Sequence, residues 1–267
     1  MNGGITIKLS EVVSLIEKRM PLTWSEEWDN SGLLVGDPDS EIVKTGIALD
    51  VTEDTVFKAT DSGCQLLVSH HPIIFRPIKN IIPDRPAGKA MVMAIKNGLS
   101  LYAAHTNWDS SPEGVNFILA ELLGLDEIEP LIPPADRSSS WGMGAVGELM
   151  MPMPFETVMK LIKERWCLSS CTGYGSQSAL IKKIALGGGS CGDMWQQAEE
   201  KGASLFVTAD MSYHNRQDAL NCGLKLIDVD HGEMERASLP RLKSIIEKET
   251  GLIVELIPET DKEKFIL

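Results

Sequence analysis

The sequence lacks a Cys-x-x-Cys pair and any run of about 18 apolar residues. Without such a run no membrane-spanning helix is expected, and no membrane partner. Its five cysteines are an odd number with no paired spacing, which indicates reduced thiols rather than a disulfide framework. The first residues, Met1–Ile5, have no basic region followed by an apolar core, so we expect no signal peptide and a cytoplasmic protein.

Basic residues are scarce as well. The 25 lysines and arginines face 38 aspartates and glutamates, which gives a net charge of −13. This balance argues against nucleic acid as the main partner, because binding to a phosphate backbone needs a basic face. Bound cations would offset part of the negative excess locally.

The chain is organised around two adjacent histidines. The apolar run Gln65–Ser69, bounded by Gly63, is typical of a buried strand, and His70 and His71 follow where it should end. In an open α/β sheet, ligands bind outside the carboxyl ends of the strands. Neighbouring imidazoles at such an end can point to two sides of one cavity and meet two different metal ions.

Two of the other three histidines are followed four residues later by a carboxylate. The units are His105 with Asp109 and His231 with Glu235. A histidine pair alone is equally compatible with a buried, hydrogen-bonded pair. Together with two histidine-acid units it favours a metal site, since buried carboxylates need partners.

The fold class predicted is α/β, with two similar α/β modules produced by an internal duplication. Ile47–Leu49 recurs as Ile184–Leu186, and the Gly-Leu-x-Leu strings that begin at Gly98 and Gly223 each lead to one histidine-acid unit. Such strings are common in α/β proteins, so chance is the alternative. The conserved order of four landmarks favours a true duplication whose halves face a shared dinuclear metal cleft.

The domain boundaries follow from a change in composition. Residues 130–140, rich in proline and serine, are predicted to be a linker. The first module then covers residues 1–129 and the second 141–267, with the C-terminal helix and strand able to pack back on the first module.

Histidine, aspartate and glutamate without cysteine suit zinc, manganese, iron or cobalt. The number of candidate donors exceeds the four that one tetrahedral ion uses, so two divalent ions per chain are expected. Such ions lie about 3.5–4 Å apart and share a bridging carboxylate and a water. Glu235 is the predicted bridge and a catalytic candidate. His105 is either a further ligand or a neighbouring residue that orients Asp109 or moves a proton. The predicted metal ligands are His70, His71, Asp109, His231 and Glu235.

Several other residues are candidates for substrate binding. The loop Gly187–Ser190, including Gly188, Gly189 and Ser190, precedes a predicted helix and could hold a phosphate on its amides, but it lacks the lysine of a P-loop, and a tight turn is the alternative. Asp29 and Asn30 either contact a ligand or cap a turn.

Three aromatic or histidine side chains have two interpretations each. Trp28 and Trp108 either floor a pocket for a flat ring or belong to the core. His214 either lines the cleft or is a half-exposed helix residue, and the second interpretation is favoured.

Taken together, the motifs resemble those of the NIF-three-like family, also described as GTP cyclohydrolase I type II homologues or dinuclear-metal-centre hexameric proteins. The resemblance covers nearly the whole chain, in the family's order. It is carried by Trp28–Leu33, Ser69–Pro72, His105–Asp109, Gly187–Ser190 and His231–Glu235. Three positions depart from the family pattern and concern the pocket wall, namely Trp108, Ala209 and Val229-Asp230.

The resemblance implies two α/β domains around a dinuclear site, a homohexameric ring, and metal ligands at the five residues named above, with His105 close by. It also implies a small-molecule substrate such as a nucleotide, and a cyclohydrolase that opens the guanine imidazole ring of GTP by means of a metal-bound hydroxide. A metallo-phosphoesterase and a non-enzymatic ring protein that handles metal or binds a partner are the alternatives.

Overall fold

The computed structural model describes residues 5–135 and 140–259, and the residues 136–139 of the predicted linker lie outside this part. The chain forms two compact units. The first comprises residues 1–108 and 239–267, and the second comprises residues 109–238. Within the described residues, no helix is both long and apolar enough to cross a membrane.

Strands and helices alternate along both units. The strands are β1 Ile7–Lys8, β2 Gly32–Val35, β3 Glu41–Ile42, β4 Lys44–Ala48, β5 Leu66–Ser69, β6 Ser100–Ala103, β7 Asp126–Glu129, β8 Ala145–Pro154, β9 Cys171–Tyr174, β10 Leu180–Leu186, β11 Leu205–Ala209, β12 Lys225–Val229 and β13 Ile253–Leu256. The α-helices are α1 Leu9–Arg19, α2 Glu53–Asp61, α3 Pro86–Lys96, α4 Thr106–Asp109, α5 Val115–Leu123, α6 Phe155–Arg165, α7 Trp195–Glu200, α8 Tyr213–Asn221, α9 His231–Arg236 and α10 Leu239–Thr250. Two short 3₁₀ turns occupy Leu22–Trp24 and Gly192–Met194.

The first unit is built on a five-stranded sheet in the order β13-β4-β5-β6-β2. The strands β13, β4, β5 and β6 run parallel, and β2 is antiparallel to β6. Every residue of β5 is buried, as expected for a central parallel strand that is covered on both faces. Apolar side chains on the strands pack against helices α2 and α3, with Leu67, Leu101 and Val56 in one core cluster.

The second unit contains a six-stranded sheet in the order β7-β8-β10-β11-β12-β9. Its central strands β10, β11 and β12 are parallel, and β9 is antiparallel to β12. The first sheet thus has four adjacent parallel strands and the second has three, and in each sheet an antiparallel edge strand follows them. This shared order agrees with the repeated sequence landmarks, while the duplication itself stays a prediction.

The units divide at positions other than the predicted boundaries of 129 and 141. The chain leaves the first unit after Trp108, because β7 pairs with β8 and so draws the segment beyond residue 108 into the second unit. It returns at Leu239, because α10 packs on α1 and β13 pairs with β4. The packing of the last helix and strand on the first unit had been left open from the sequence.

Two local expectations differ from the structure. The small and polar composition of residues 167–178 predicts a loop, but they contain the short edge strand β9. This strand is held by backbone pairing with β12, and its side chains show no alternation of apolar and polar residues that would predict a strand. The sequence pattern also predicts a single helix from Glu235 to Thr250, whereas α9 already begins at His231 and α10 follows separately.

Candidate metal centre

Three histidines of the first unit come together at the carboxyl ends of β5 and β6. His70 and His71 directly follow β5, and their amides donate to the carbonyl oxygens of Ala48 and Leu49 at 3.1 and 2.9 Å. His105 follows β6 by two residues. Because parallel strands end at one edge of the sheet, the three rings meet there, with centroids 4.9, 5.2 and 5.7 Å apart.

Each of the three rings is held through its Nδ1 atom by an oxygen. Nδ1 of His70 lies 2.9 Å from the carbonyl oxygen of Ala104, and Nδ1 of His71 lies 2.9 Å from Oδ1 of Asp50. Nδ1 of His105 lies 2.7 Å from Oδ1 of Asp29. One ligand nitrogen of each ring lies within 4.8 Å of those of the other two. A ring that donates from Nδ1 presents the lone pair of Nε2, which is the usual arrangement of metal-binding histidines.

Asp29 is the most heavily hydrogen-bonded of these supporting groups. Its side chain is fully buried and also accepts from the hydroxyls of Ser31 and Thr106, both at 2.6 Å, and from the amide of Thr106 at 3.1 Å. Burial alone would raise the pKa of Asp29, but the hydrogen bonds from His105, Ser31 and Thr106 outweigh it and hold the pKa well below its usual range. Asp29 is therefore an anion that fixes the tautomer and orientation of His105.

We expect Asp29→Asn to weaken metal binding by the first unit by about 10- to 100-fold, the usual cost of losing an outer hydrogen-bond partner. An amide group must turn an N–H toward at least one of the donors that now meet a carboxylate oxygen. Asp37→Asn is the matched control, because Asp37 is an exposed carboxylate of the same unit that accepts from the amide of Asp39. Titration with Zn²⁺ or Mn²⁺ measures the effect, and equal affinities for the two variants would contradict it.

In the second unit, His231 and Glu235 lie on successive turns of α9. The side chain of Asp230 caps this helix by accepting from the amide of Glu233 at 3.0 Å. The spacing of four residues brings Nε2 of His231 to 3.0 Å from Oε1 of Glu235, whose side chain is 3% exposed. Nδ1 of His231 lies 2.7 Å from Oδ2 of Asp210, which follows β11.

A glycine makes room for this pair. At Gly189, a Cβ atom would lie 2.4 Å from Oε1 of Glu235 and 3.2 Å from Nε2 of His231, and its φ is +76°. The carbonyl oxygen of Gly189 accepts from the amide of Ala209 at 3.0 Å, which ties the loop to the end of β11. The glycine is therefore required both for its backbone conformation and for the approach of the ligand atoms.

Asn116 links two further predicted site residues. Its amide nitrogen donates to the carbonyl oxygen of Asp109 at 2.9 Å, and its side-chain oxygen accepts from the amide of Gly188 at 2.7 Å. Asp109 is 5% exposed. The amide of Gly188 thus already has a protein partner, and a Cβ at Gly188 would lie 2.7 Å from Cγ1 of Val115.

The remaining candidates fall in different environments. Trp108 is fully buried in the core, whereas Trp28 is 58% exposed. The side chain of Asn30 donates to the carbonyl oxygen of Ile74 at 2.6 Å. Ser190 and His214 are exposed, and a role for Ser190 in substrate binding stays a prediction.

Sequence reasoning missed the carboxylates that hold the ligand histidines. Asp50 follows the end of β4 and Asp210 follows β11, so both stand at the carboxyl end of a parallel strand, like the histidines they contact. Their position at the ends of predicted strands was the sequence signal that could have identified these two carboxylates.

The donor chemistry fits a divalent metal ion. In the first unit the donors are three imidazole nitrogens, and in the second an imidazole nitrogen and a carboxylate oxygen 3.0 Å apart. Two ligands bound to one ion at about 2.1 Å each lie about 3.0–3.4 Å from one another, so this separation suits a shared ion. Nitrogen and oxygen donors of this kind suit zinc, manganese, iron and cobalt.

The fold and the donors define an α/β protein with a histidine-rich group able to hold metal. The sequence matches the family Duf34/NIF3 (NGG1p interacting factor 3) over residues 7–262, and the chain belongs to this family. The "GTP cyclohydrolase 1 type 2 homolog" of Clostridium perfringens is 34% identical over 251 residues, which cover 94% of this chain and 95% of that protein.

Two further relatives extend this result. "NIF3-like protein 1" of Drosophila melanogaster is 28% identical over an alignment that covers 100% of this chain and 91% of that one. The crystal structure of Staphylococcus aureus protein SA1388 superposes with a TM-score of 0.90 at 28% identity, covering 97% of this chain and 99% of that chain. The similarity therefore spans the entire fold rather than one unit.

Proposed function

We propose that the protein is a metal-dependent hydrolase that acts on a small molecule, with opening of the guanine imidazole ring of GTP as the first reaction to test. The observation that carries this proposal is the group of three histidines in the first unit, each held through Nδ1 by an oxygen and each offering a ligand nitrogen within 4.8 Å of the others. The names of the curated relatives supply the choice of GTP.

The proposed ligands are His70, His71 and His105 in the first unit and Asp109, His231 and Glu235 in the second. Divalent ions held by such donors lower the pKa of a water to near neutrality and polarise a substrate oxygen. The sequence leaves open whether His105 is a ligand or a residue that orients Asp109 or moves a proton. We propose that it is a ligand, because its ring groups with those of His70 and His71. Asp29, Asp50 and Asp210 orient the imidazoles and keep their Nδ1 atoms as donors.

We further propose two ions per chain that share Glu235, on the basis of the number of donors and the family motifs. Elemental analysis of protein loaded with Mn²⁺ should give two ions per chain. Electron paramagnetic resonance should then show exchange coupling, as expected for ions about 3.5–4 Å apart. One ion per chain, or two uncoupled ions, would contradict the dinuclear centre. The homohexamer implied by the family motifs is tested by light scattering, and a monomeric mass would exclude it.

The test of function is mass spectrometry of GTP incubated with metal-loaded protein and, as the control, with chelator-treated protein. We expect a ring-opened or formamido product only when metal is present. Release of phosphate without ring opening would replace the cyclohydrolase with a phosphoesterase. Absence of any reaction with GTP, together with metal exchange within minutes, would favour a protein that handles metal. Retention of a protein partner after the histidines are replaced by alanine would favour a scaffold.

A further inference from the structure

Two exposed aromatic side chains stand beside the histidine group of the first unit. Trp28 is 58% and Phe75 is 49% exposed, and their ring centroids are 5.6 Å apart with the planes tilted by 47°. Each ring also lies 6.0 Å from the ring of His105, nearly edge-on, at interplanar angles of 75° and 70°. Trp28, Phe75 and His105 thus form a continuous group of rings that leads from solvent to the candidate ligands.

The two loops that carry this aromatic pair are fixed in place. Asp29, next to Trp28, is anchored by His105, Ser31 and Thr106. The side chain of Asn30 donates to the carbonyl oxygen of Ile74, next to Phe75, at 2.6 Å. Hydrogen bonds on both sides therefore hold the aromatic pair without burying it, and such preorganisation lowers the entropy that a ligand loses on binding.

Exposure of this kind is costly unless it serves binding. Burying an aromatic side chain is favourable relative to leaving it in water. A single exposed apolar residue needs no explanation, but contiguous exposed rings mark interaction sites. In this pair, the rings also contact a candidate metal ligand, which a packing role alone does not require.

We propose that Trp28 and Phe75 form a subsite for the planar, uncharged heteroaromatic ring of a small molecule, and so determine the substrate class. Aromatic rings favour offset or edge-to-face neighbours with centroids about 4.5–7 Å apart, and the tilted pair offers a third ring such a geometry. A cationic ligand is disfavoured, since divalent ions bound to the neighbouring histidines would repel it. The chemistry of the reaction at this ring rests on the proposed function, whereas the binding of the ring does not.

The test is calorimetric titration of the full-length protein, metal-loaded and chelator-treated, with guanosine and with ribose 5-phosphate, which has no aromatic ring. Stacking on an aromatic residue stabilises a bound base, and alanine substitution of that residue removes this contribution. We expect Trp28→Ala and Phe75→Ala each to weaken guanosine binding about tenfold or more and Trp28→Phe to weaken it less. Binding of ribose 5-phosphate and the metal content should not change. Phe57→Ala is the matched control, because Phe57 is 58% exposed on α2 of the same unit, and it should leave guanosine binding unchanged.

The outcomes separate this inference from the proposed function. If guanosine binding depends on Trp28 but the protein shows no turnover, the subsite is supported and the proposed hydrolase activity is excluded. Equal guanosine affinity in Trp28→Ala, Phe75→Ala and the unchanged protein would overturn the subsite. Titrations with adenosine and uridine extend the test to other bases, and failure of all three nucleosides to bind would also overturn it. A change in native mass in Trp28→Ala with guanosine binding unchanged would also overturn it and assign the aromatic pair to contacts between chains.

Discussion

Glu235→Gln should lower hydrolytic turnover by about three orders of magnitude and remove one metal ion per chain. Glutamine has nearly the same size and fits the same buried space, but it is neutral and has a single oxygen, so it cannot bridge two ions. The metal contribution to transition-state charge stabilisation is worth several kcal/mol, and each 1.36 kcal/mol is about tenfold in rate. Elemental analysis and the rate of product formation from GTP measure the two effects on the same preparation.

Glu233→Gln is the matched control for this change. Glu233 lies on the same helix, two residues away, and its carboxylate accepts from the amide and hydroxyl of Ser169 at 2.7 and 2.6 Å. The control therefore makes the same change of charge at a carboxylate that binds Ser169. Full turnover and two ions in Glu235→Gln would exclude Glu235 as a bridging ligand, whereas equal losses in both variants would point to the charge of α9 instead.

The histidine group was predictable because its signal is local. His70 and His71 follow an apolar run typical of a buried strand, and His105 follows a second one. Parallel strands place their carboxyl ends at one edge of a sheet, so order along the chain sufficed to predict that these rings lie together. The spacing of His231 and Glu235 likewise suffices once both lie on one helix, and α9 includes both.

The partners of these residues were not predictable in the same way. Asp29 and His105 are 76 residues apart, and nothing in either segment encodes their contact at 2.7 Å. Aspartate near Asn30 and Ser31 is typical of a turn, which hides a buried anion among polar neighbours. From its sequence, Trp28 could be assigned either to a core or to a binding surface, and its exposure in the structure excludes the core.

The boundaries between the two units could not be predicted from the sequence for a related reason. A boundary inferred from composition is placed at a segment rich in proline and serine, because such segments are usually exposed. The actual division depends on strand pairing, and β13 reaches β4 across about two hundred positions of sequence through a register set by Ile253 opposite Lys44. Pairing between strands this far apart in the sequence leaves no periodic pattern, so the sequence leaves open which unit the final helix and strand join.

Gly189→Ala should abolish metal binding by His231 and Glu235 and thereby reproduce most of the effect of Glu235→Gln. The new Cβ would lie 2.4 Å from Oε1 of Glu235, so the carboxylate must leave its position next to His231. Because the atom that moves is the end of a side chain rather than backbone, we expect the fold to survive. The expected cost in stability is about 1–2 kcal/mol, the penalty of a left-handed conformation for a residue with a Cβ.

Gly202→Ala is the control that separates the loss of stability from the loss of metal binding. Gly202 lies in the same unit at φ +71°, close to the +76° of Gly189, but a Cβ there would have no atom within 4 Å. Both variants should therefore lose similar free energy of unfolding in denaturant titrations of metal-free protein, while only Gly189→Ala loses metal in titrations with Mn²⁺ or Zn²⁺. Equal metal affinity in the two variants would show that the carboxylate is free to bind from another position. A much larger loss of stability in Gly189→Ala, with metal binding intact, would assign the glycine to packing instead.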